Sequence, residues 1–233
     1  MAKAHEVTLG IDTSAGLCVG VAAQDLFGDG LDYATRDLSD TRSHVEQLMP
    51  QLQALLDEQG LALADVARIG VGVGPGPFTG LRVGIATAQT LGIALGVPVR
   101  GVCSLDVVAR EYAGAGETEF VAVIDARRKE LYWARYAATG ERLGDPQVSA
   151  PGDVPALPAV GPGVAGYPDV FAGRAPQAAP RTVNAGLLAM CLDDLPDAGL
   201  TPLYLRKPDA ELAGTRKSVL TAGLRVPTSI ELS

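Results

Sequence analysis

The chain has 233 residues, 47% hydrophobic and 20% charged, enough apolar sequence for one large domain or two small ones. Its formal net charge of −8 makes it a poor binder of nucleic acid on its own, because phosphate contacts need basic side chains. The three cysteines have no paired spacing, and neither a signal peptide nor a membrane-spanning run is visible, so we expect a reduced cytoplasmic protein that does not associate with membranes.

The first predicted elements are three strands, of which the first two are joined by a polar turn. Their ranges are 7–11, 17–23 and 31–38. In the turn, Asp12 is expected to accept backbone hydrogen bonds. This interpretation is favoured over a phosphate or metal site, because the turn contains no lysine or glutamine that could act as a catalytic partner.

An amphipathic helix is predicted at 43–60. Ser43 and Glu46 have the spacing of a capping box, and Pro50 should kink the helix or mark a restart. Apolar residues recur at helical spacing, at Val45, Leu48, Met49, Leu52, Leu55 and Leu56. From the pattern alone, packing of this stripe on the sheet is favoured over contact with a partner.

The segment at 69–95 reads as a buried strand, a glycine- and proline-rich turn and a helix. Residues 74–77 should form the turn, because glycine permits positive φ and proline removes a backbone donor. Thr79 is predicted to cap the helix. Neither the Walker pattern nor G-x-G-x-x-G fits the spacing, so a structural turn is favoured over a phosphate site.

The helix after this turn carries a ridge of small residues, spaced four apart. They are Gly80, Gly84, Ala88, Gly92 and Gly96. An internal glycine costs about 0.5–1 kcal/mol relative to alanine, so the ridge indicates close approach of another backbone. That backbone could belong to this chain or to a partner.

A strand at 97–103 and a helix at 104–112, capped by Ser104, complete a first lobe with a mixed sheet and flanking helices. A second hairpin at 120–136 resembles the first, which indicates either an internal duplication or a coincidence. We therefore predict an N-terminal lobe at 1–113, a C-terminal lobe at 114–206 and a mobile tail at 207–233.

The second lobe gives weaker signals. Short strands and turns are expected at 146–180, because the segment is rich in proline, glycine and alanine. A helix capped by Thr182 or Asn184 should run to Leu195. A last short strand or extended segment is expected at 202–206.

Several of these segments together resemble the TsaB family, also called YeaZ. They are IDTS at 11–14, RSH at 42–44 leading to LMP at 48–50, GPGPFTGLR at 74–82, IDAR at 124–127 and YLR at 204–206. The resemblance spans roughly residues 5–206. One departure is Pro77, which stands where the family usually has a serine and cannot supply its hydroxyl.

The resemblance implies the actin-like ATPase fold (ASKHA, ribonuclease H-like), with two related lobes of mixed sheets flanked by helices. It also implies a role in making threonylcarbamoyladenosine in tRNA. In that family the subunit is a non-catalytic scaffold that pairs with the catalytic TsaD subunit and the TsaE ATPase. It would reach tRNA only through the complex, form a homodimer when alone and hold no intrinsic cofactor, although ATP or ADP could lie at the interface with its partners.

The resemblance also implies two sets of site residues, with no catalytic residue and no metal ligand among them. The partner interface would be formed by Val45, Leu48, Met49, Leu52, Leu55, Gly84, Ala88 and Leu91. Vestigial nucleotide-facing loops would contain Asp12, Thr13, Ser14, Gly74, Gly76, Thr79, Gly80 and Arg82.

Two other functions remain open. A stand-alone actin-like kinase or ATPase would need an adenosine-binding motif, for which residues 161–166 are the only weak candidate. A glycoprotein peptidase would need a metal or a catalytic base. The only two histidines, His5 and His44, lie far apart in sequence, which argues against a paired-histidine metal site.

Overall fold

The computed structural model describes residues 6–24, 31–38, 44–114, 118–175 and 180–206. Within these ranges, no helix combines the length and the apolar character that a membrane span requires. The predicted tail at 207–233 and the proposed cap Ser43 lie outside the described residues.

Five strands form the first sheet, in the spatial order β3-β2-β1-β4-β5. They are β1 (Val7–Asp12), β2 (Leu17–Gln24), β3 (Leu31–Leu38), β4 (Val66–Gly72) and β5 (Val99–Val102). Strand β1 pairs antiparallel with β2 and parallel with β4, which puts it at the centre of a mixed sheet. Because β1 and β4 are parallel, the loops that follow them leave the same edge of the sheet.

Four strands form the second sheet, in the order β8-β7-β6-β9. They are β6 (Phe120–Asp125), β7 (Leu131–Tyr136), β8 (Gln147–Ser149) and β9 (Ala159–Val160). Strand β6 is antiparallel to β7 and parallel to β9, and β7 is antiparallel to β8. The second sheet thus repeats the arrangement of β3-β2-β1-β4, which supports the interpretation of the two hairpins as a duplication.

Four α-helices in the described ranges cover these sheets. They are α1 (His44–Glu58), α2 (Phe78–Leu95), α3 (Ser104–Tyr112) and α4 (Ala185–Met190). Helices α1 and α2 share one apolar core with the first sheet. Helix α4 packs on the opposite face of that sheet, α3 packs on the second sheet, and the two helices contact each other. Mixed sheets flanked by helices are the architecture of the actin-like ATPase fold, as predicted.

Two glycines in the first sheet allow α4 to approach closely. A Cβ atom at Gly10 would lie 1.9 Å from the carbonyl oxygen of Ala185, and one at Gly20 would lie 2.1 Å from the backbone nitrogen of Gly186. Side chains at these two positions would therefore push α4 off the sheet.

Two of the predicted helix caps are wrong. Helix α2 begins at Phe78 after an extended Pro77, so Thr79 lies within the first turn, exposed, and caps nothing. Helix α3 begins at Ser104 itself, with Cys103 before it, and the Ser104 hydroxyl bonds elsewhere. Asn184, in contrast, caps α4 by accepting a hydrogen bond from the Leu187 backbone at 3.0 Å.

One element boundary differs from its prediction, and two alternatives left open by the sequence are excluded. Helix α1 continues through Pro50 without a restart, and α4 ends at Met190 rather than Leu195. Residues 202–206 form no strand. They are held instead by backbone bonds such as Leu203 N–H to the Val73 carbonyl, at 2.8 Å.

The predicted boundary at 113/114 separates the strands of the two sheets. Other contacts, however, join residues on opposite sides of this boundary. Helix α4 and residues 198–203 lie in the predicted C-terminal lobe, yet they contact the first sheet and its loops. The Ala198 N–H, for example, donates to the Gly101 carbonyl at 2.9 Å. The division into lobes stays a prediction.

Candidate functional site

The loop after β1 is buried at the edge of the first sheet. Asp12, Thr13 and Ser14 have relative exposures of 1%, 0% and 1%. All three were predicted to lie in a nucleotide-facing loop. Polar groups of all three bond to other groups of the chain.

The carboxylate of Asp12 is held by hydroxyl and amide donors of the chain. Its Oδ1 accepts bonds from the Ser14 N–H at 2.8 Å and the Ser14 hydroxyl at 2.6 Å. Its Oδ2 accepts a bond from the Ser104 hydroxyl at 2.6 Å. A Cβ at Gly72 would lie 1.8 Å from Oδ2, so the absence of a side chain there makes room for the carboxylate.

Burial raises the pKa of Asp12 above its ordinary value, because desolvation disfavours the charged form. The hydrogen bonds from Ser104 and Ser14 oppose this shift, since they stabilise the carboxylate. Desolvation has the larger effect. Asp12 therefore titrates at a higher pH than an exposed aspartate, in a site to which water has almost no access.

Ser104 belongs to this network but was predicted only as a helix cap. Besides donating to Asp12, its oxygen accepts a bond from the Gly74 N–H at 3.2 Å. Ser104 thereby ties the start of α3 to the loops after β1 and β4. No sequence signal marks this contact, because Ser104 and Asp12 are 92 residues apart.

The β1 loop is locked beneath the start of α2. The Thr13 hydroxyl donates to the Gly80 carbonyl at 2.8 Å. A Cβ at Gly84 would lie 2.4 Å from the Thr13 hydroxyl oxygen, and one at Gly76 would lie 2.8 Å from the Ser14 Cα. The predicted Gly76 and Gly80 thus fix the β1 loop, and they are buried like it.

Three predicted residues of the glycine-rich segment have other roles. Gly74 has a φ of 106°, which favours glycine. Thr79 is exposed and makes no cap. Arg82 lies with its guanidinium 3.7 Å from the centre of the Phe78 ring and donates to the Tyr204 hydroxyl at 3.1 Å.

A cleft of about 220 Å³ lies beside the β1 loop and connects it to the second sheet. It is lined by residues 14–16, Pro77, Asp125, Arg127, Pro162, Ala165 and Arg181. Two guanidinium groups and one carboxylate therefore face a space bounded mainly by small residues. Residues 161–166, the weak adenosine-binding candidate, contribute only Pro162 and Ala165 to it.

The turn between β6 and β7 has an unusual backbone. Arg127, Arg128 and Lys129 have φ angles of 60°, 54° and 62°, in the left-handed region. For residues with a Cβ this conformation costs about 1–2 kcal/mol each. Strain of this kind persists only where the surrounding structure enforces it, and it often accompanies function.

The structure buries most of the predicted partner interface. Leu48, Leu52 and Leu55 are each 1% exposed in the core shared with the first sheet. Gly84, Ala88 and Leu91 are buried on the face of α2 that packs on the sheet, so the small-residue ridge faces this chain except at Gly96, which is exposed.

The buried leucines thus have no exposed surface with which to contact a partner. Their helical spacing is fully explained by packing on the sheet. Of the predicted interface residues, Met49 is 42% exposed, while the side chain of Val45 lies outside the described residues. The most exposed large apolar side chain of α2 is Ile93, at 85%, which was not predicted.

Among the described residues, no cluster of three or more histidine, cysteine, aspartate or glutamate side chains could hold a metal ion. Cys18, Cys103 and Cys191 are free thiols and are buried. Burial raises the pKa of Cys18 to about 11 and that of Cys103 to about 12. At neutral pH these two groups are therefore protonated and weakly nucleophilic.

Comparison with known proteins gives consistent matches. A family model described as TsaD, tRNA N6-adenosine threonylcarbamoyltransferase, matches residues 38–175. An uncharacterized protein of Mycobacterium tuberculosis is 47% identical over 74% of this chain and 79% of its own length. The tRNA threonylcarbamoyladenosine biosynthesis protein TsaB of Escherichia coli is 39% identical over 55% of this chain and 54% of its own length.

Two solved structures from Pseudomonas aeruginosa have the same fold. One, an uncharacterized protein with similarity to peptidase YEAZ, is 31% identical with a TM-score of 0.67. The other, YeaZ, is 29% identical with a TM-score of 0.62. Each match covers 86% of this chain and all of the solved chain. In sequence, by contrast, the match to the E. coli protein covers about half of that protein.

Proposed function

Because this chain belongs to the TsaB family, also called YeaZ, we propose that it acts in the biosynthesis of threonylcarbamoyladenosine in tRNA, as a non-catalytic subunit of the modifying complex. The E. coli relative, a tRNA threonylcarbamoyladenosine biosynthesis protein, supports the pathway. The three free thiols fit the reducing conditions of the cytoplasm, where we place the protein.

The state of Asp12 is the observation that carries the non-catalytic role. In an actin-like ATPase, we expect the carboxylate at this position to face phosphate and metal. Here both oxygens already accept hydrogen bonds from Ser14 and Ser104, at 2.6–2.8 Å, and the residue is 1% exposed. Burial and these three bonds leave the carboxylate little access to a metal ion, which supports a scaffold rather than a catalyst.

We propose that the exposed faces of α1 and α2 form the partner surface. Met49 and Ile93 are large apolar side chains that the fold leaves exposed, at 42% and 85%. In this proposal the partner is a TsaD-like catalytic subunit, and a second copy of this chain takes its place when TsaD is absent. A TsaE-like ATPase joins the complex, and any ATP or ADP lies between subunits.

The experiment is threonylcarbamoyl transfer to a cognate tRNA by the purified partner enzymes, with and without this chain. We expect strong dependence on the chain, with activity retained by Asp12→Asn. Asparagine keeps the size of the side chain and removes its charge, so it tests ionisation with the least change in packing.

A loss of transfer with Asp12→Asn, in a variant that still folds and binds its partner, would point to a real nucleotide site. Transfer that does not depend on this chain at all would overturn the proposed function. In that case ATP turnover by the isolated chain would test the stand-alone kinase or ATPase alternative.

A further inference from the structure

The turn at 127–129, which we call the basic turn, carries three consecutive cationic side chains. Arg127, Arg128 and Lys129 are all exposed. Lys129 makes no ion pair or hydrogen bond with any other residue that the structure describes, and the same holds for Arg181, which faces Arg127 from the cleft wall. Lys129 thus lies two residues from Arg127, which lines the same cleft as Arg181.

The backbone of the basic turn is fixed despite its unfavourable conformation. The Arg127 N–H donates to the Asp125 carboxylate at 2.9 Å, and the Ala126 N–H donates to the Glu130 carbonyl at 3.0 Å. The Arg206 guanidinium donates to the carbonyl oxygens of Ala126 and Arg127, at 2.9 and 3.3 Å. These contacts fix the backbone from which the three exposed side chains project.

Nearby acidic groups are already neutralised. Asp125 pairs with Arg127 at 3.5 Å, and Glu130 pairs with Arg206. The field around Lys129 and Arg181 is therefore not cancelled by these two carboxylates. The exposed charges of Lys129 and Arg181 can therefore attract a polyanion.

We propose that the basic turn and Arg181 form a surface that contacts the phosphate backbone of tRNA within the assembled complex. This inference rests on the proposed function, which supplies the polyanion. Contacts of this kind add affinity without reading sequence, and they depend strongly on salt. They also need the complex, because a chain of net charge −8 repels nucleic acid over most of its surface.

The test is tRNA binding by the reconstituted complex, measured by fluorescence anisotropy over a series of salt concentrations. The variants are Lys129→Gly and the double variant Lys129→Gly/Arg181→Gln. Glycine adopts the left-handed conformation without strain, so Lys129→Gly removes the charge and preserves the turn. We expect the slope of log affinity against log salt to fall by about 1 for each cation removed.

A matched control removes two cations elsewhere. Arg110 and Arg135 are exposed, on α3 and β7, and pair with Asp194 and Glu119 at 3.4 and 2.6 Å. The variant Arg110→Gln/Arg135→Gln has the same net charge as Lys129→Gly/Arg181→Gln, and its slope should stay at the wild-type value. The charge-preserving variant Lys129→Arg should keep wild-type binding.

An unchanged slope for both basic-turn variants would overturn the inference, as would an equal loss in the control. Dissociation of the complex by Lys129→Gly, without a change in the salt slope of the remaining complex, would assign the turn to a protein partner instead. If threonylcarbamoyl transfer by the partner enzymes does not depend on this chain, the proposed function itself is refuted. That outcome is read from the transfer assay, so it is distinguishable from a change in the binding slopes.

Discussion

At the scale of single residues, Asp12 shows how a carboxylate can serve structure rather than chemistry. It links three parts of the chain, since its partners Ser14 and Ser104 lie in the β1 loop and at the start of α3. A hydrogen bond to a charged group contributes about 1.5–3 kcal/mol, which offsets part of the cost of burying the charge. The raised pKa of Asp12 indicates that burial still outweighs the hydrogen bonds.

This balance predicts a pH dependence of stability. A carboxyl group whose pKa is raised on folding favours the folded state most when it is protonated, and this contribution is lost as pH rises from its unfolded pKa through its folded pKa. We therefore expect wild type to lose stability relative to Asp12→Asn as pH rises from about 4. Urea unfolding of both proteins across this range measures the difference. A difference that stays constant or changes sign would contradict the prediction.

The network around Asp12 could be predicted only in part. The polar turn and its acceptor role follow from Asp12 itself, because aspartate in a hairpin turn bonds nearby backbone amides. The bond from Ser104 does not follow, because a serine before a helical pattern reads equally well as a cap. Thr79 misled in the same way, since the helix begins at Phe78, two residues earlier than a Thr79 cap would place it.

At the scale of elements, helices α1 and α2 each have one face in the core and one face exposed. Leu48 and Met49 are neighbours in α1, but the first is 1% exposed and the second 42%. The helical period determines this division. A partner can therefore use only the outer face, and any substitution on the inner face acts through stability.

Two substitutions in α1 separate these effects. Leu48→Ala should lower the free energy of unfolding by about 2–5 kcal/mol, because it leaves a cavity in the core. Met49→Ala should change it by less than about 0.5 kcal/mol, since half-exposed sites tolerate truncation. Denaturant titration measures both. Equal losses would show that the exposed face of α1 is also structural.

The exposed face can be tested separately for binding. We expect Met49→Glu and Ile93→Glu to fold normally and to weaken association with a TsaD-like subunit, because a charge in an apolar interface must be desolvated. Size-exclusion chromatography of the mixed subunits measures the association. Normal association of both variants would assign the partner surface to another part of the chain.

Helical spacing alone could not distinguish an apolar face in the core from one at an interface. Leu48, Leu52 and Leu55 have the same pattern in either case. The strands were more predictable, because the alternation in β1 and the apolar run in β6 are local and the hairpin turns fix the pairing of their neighbours. The position of α4 on the first sheet depends on contacts more than 160 residues apart, such as that between Cys18 and Ala185, and left no local signal.

At the scale of the whole molecule, the two sheets are joined by side chains and not only by the connecting chain. Helices α3 and α4 share one core that reaches from Val102 at the end of β5 to Tyr136 in β7. Residues 198–206 add a second link, because Tyr204 stacks on Phe78 at 4.6 Å while Arg206 bonds to the basic turn. These links should make the described parts unfold together.

A substitution near the first sheet should therefore also lower the thermal midpoint of the second sheet. Trp133, the only tryptophan, lies buried in β7 and reports on the second sheet through its fluorescence. We expect Tyr204→Ala to lower the thermal midpoint seen by Trp133 by several degrees, since loss of an aromatic pair costs about 0.5–1.5 kcal/mol beyond the lost area. An unchanged Trp133 midpoint, with an earlier loss of helical circular dichroism, would show that the two sheets unfold independently.

The glycine contacts between the first sheet and α4 have a consequence for synthesis on the ribosome. Gly10 and Gly20 leave the sheet without side chains where Ala185 and Gly186 later pack. When the five strands of the sheet have been translated, that face still lacks its covering helix, and about eighty more residues must be added at roughly 5–20 per second. If the sheet forms before α4 is made, the nascent chain would present an uncovered sheet face for several seconds, which a chaperone would have to shield from neighbouring polypeptides.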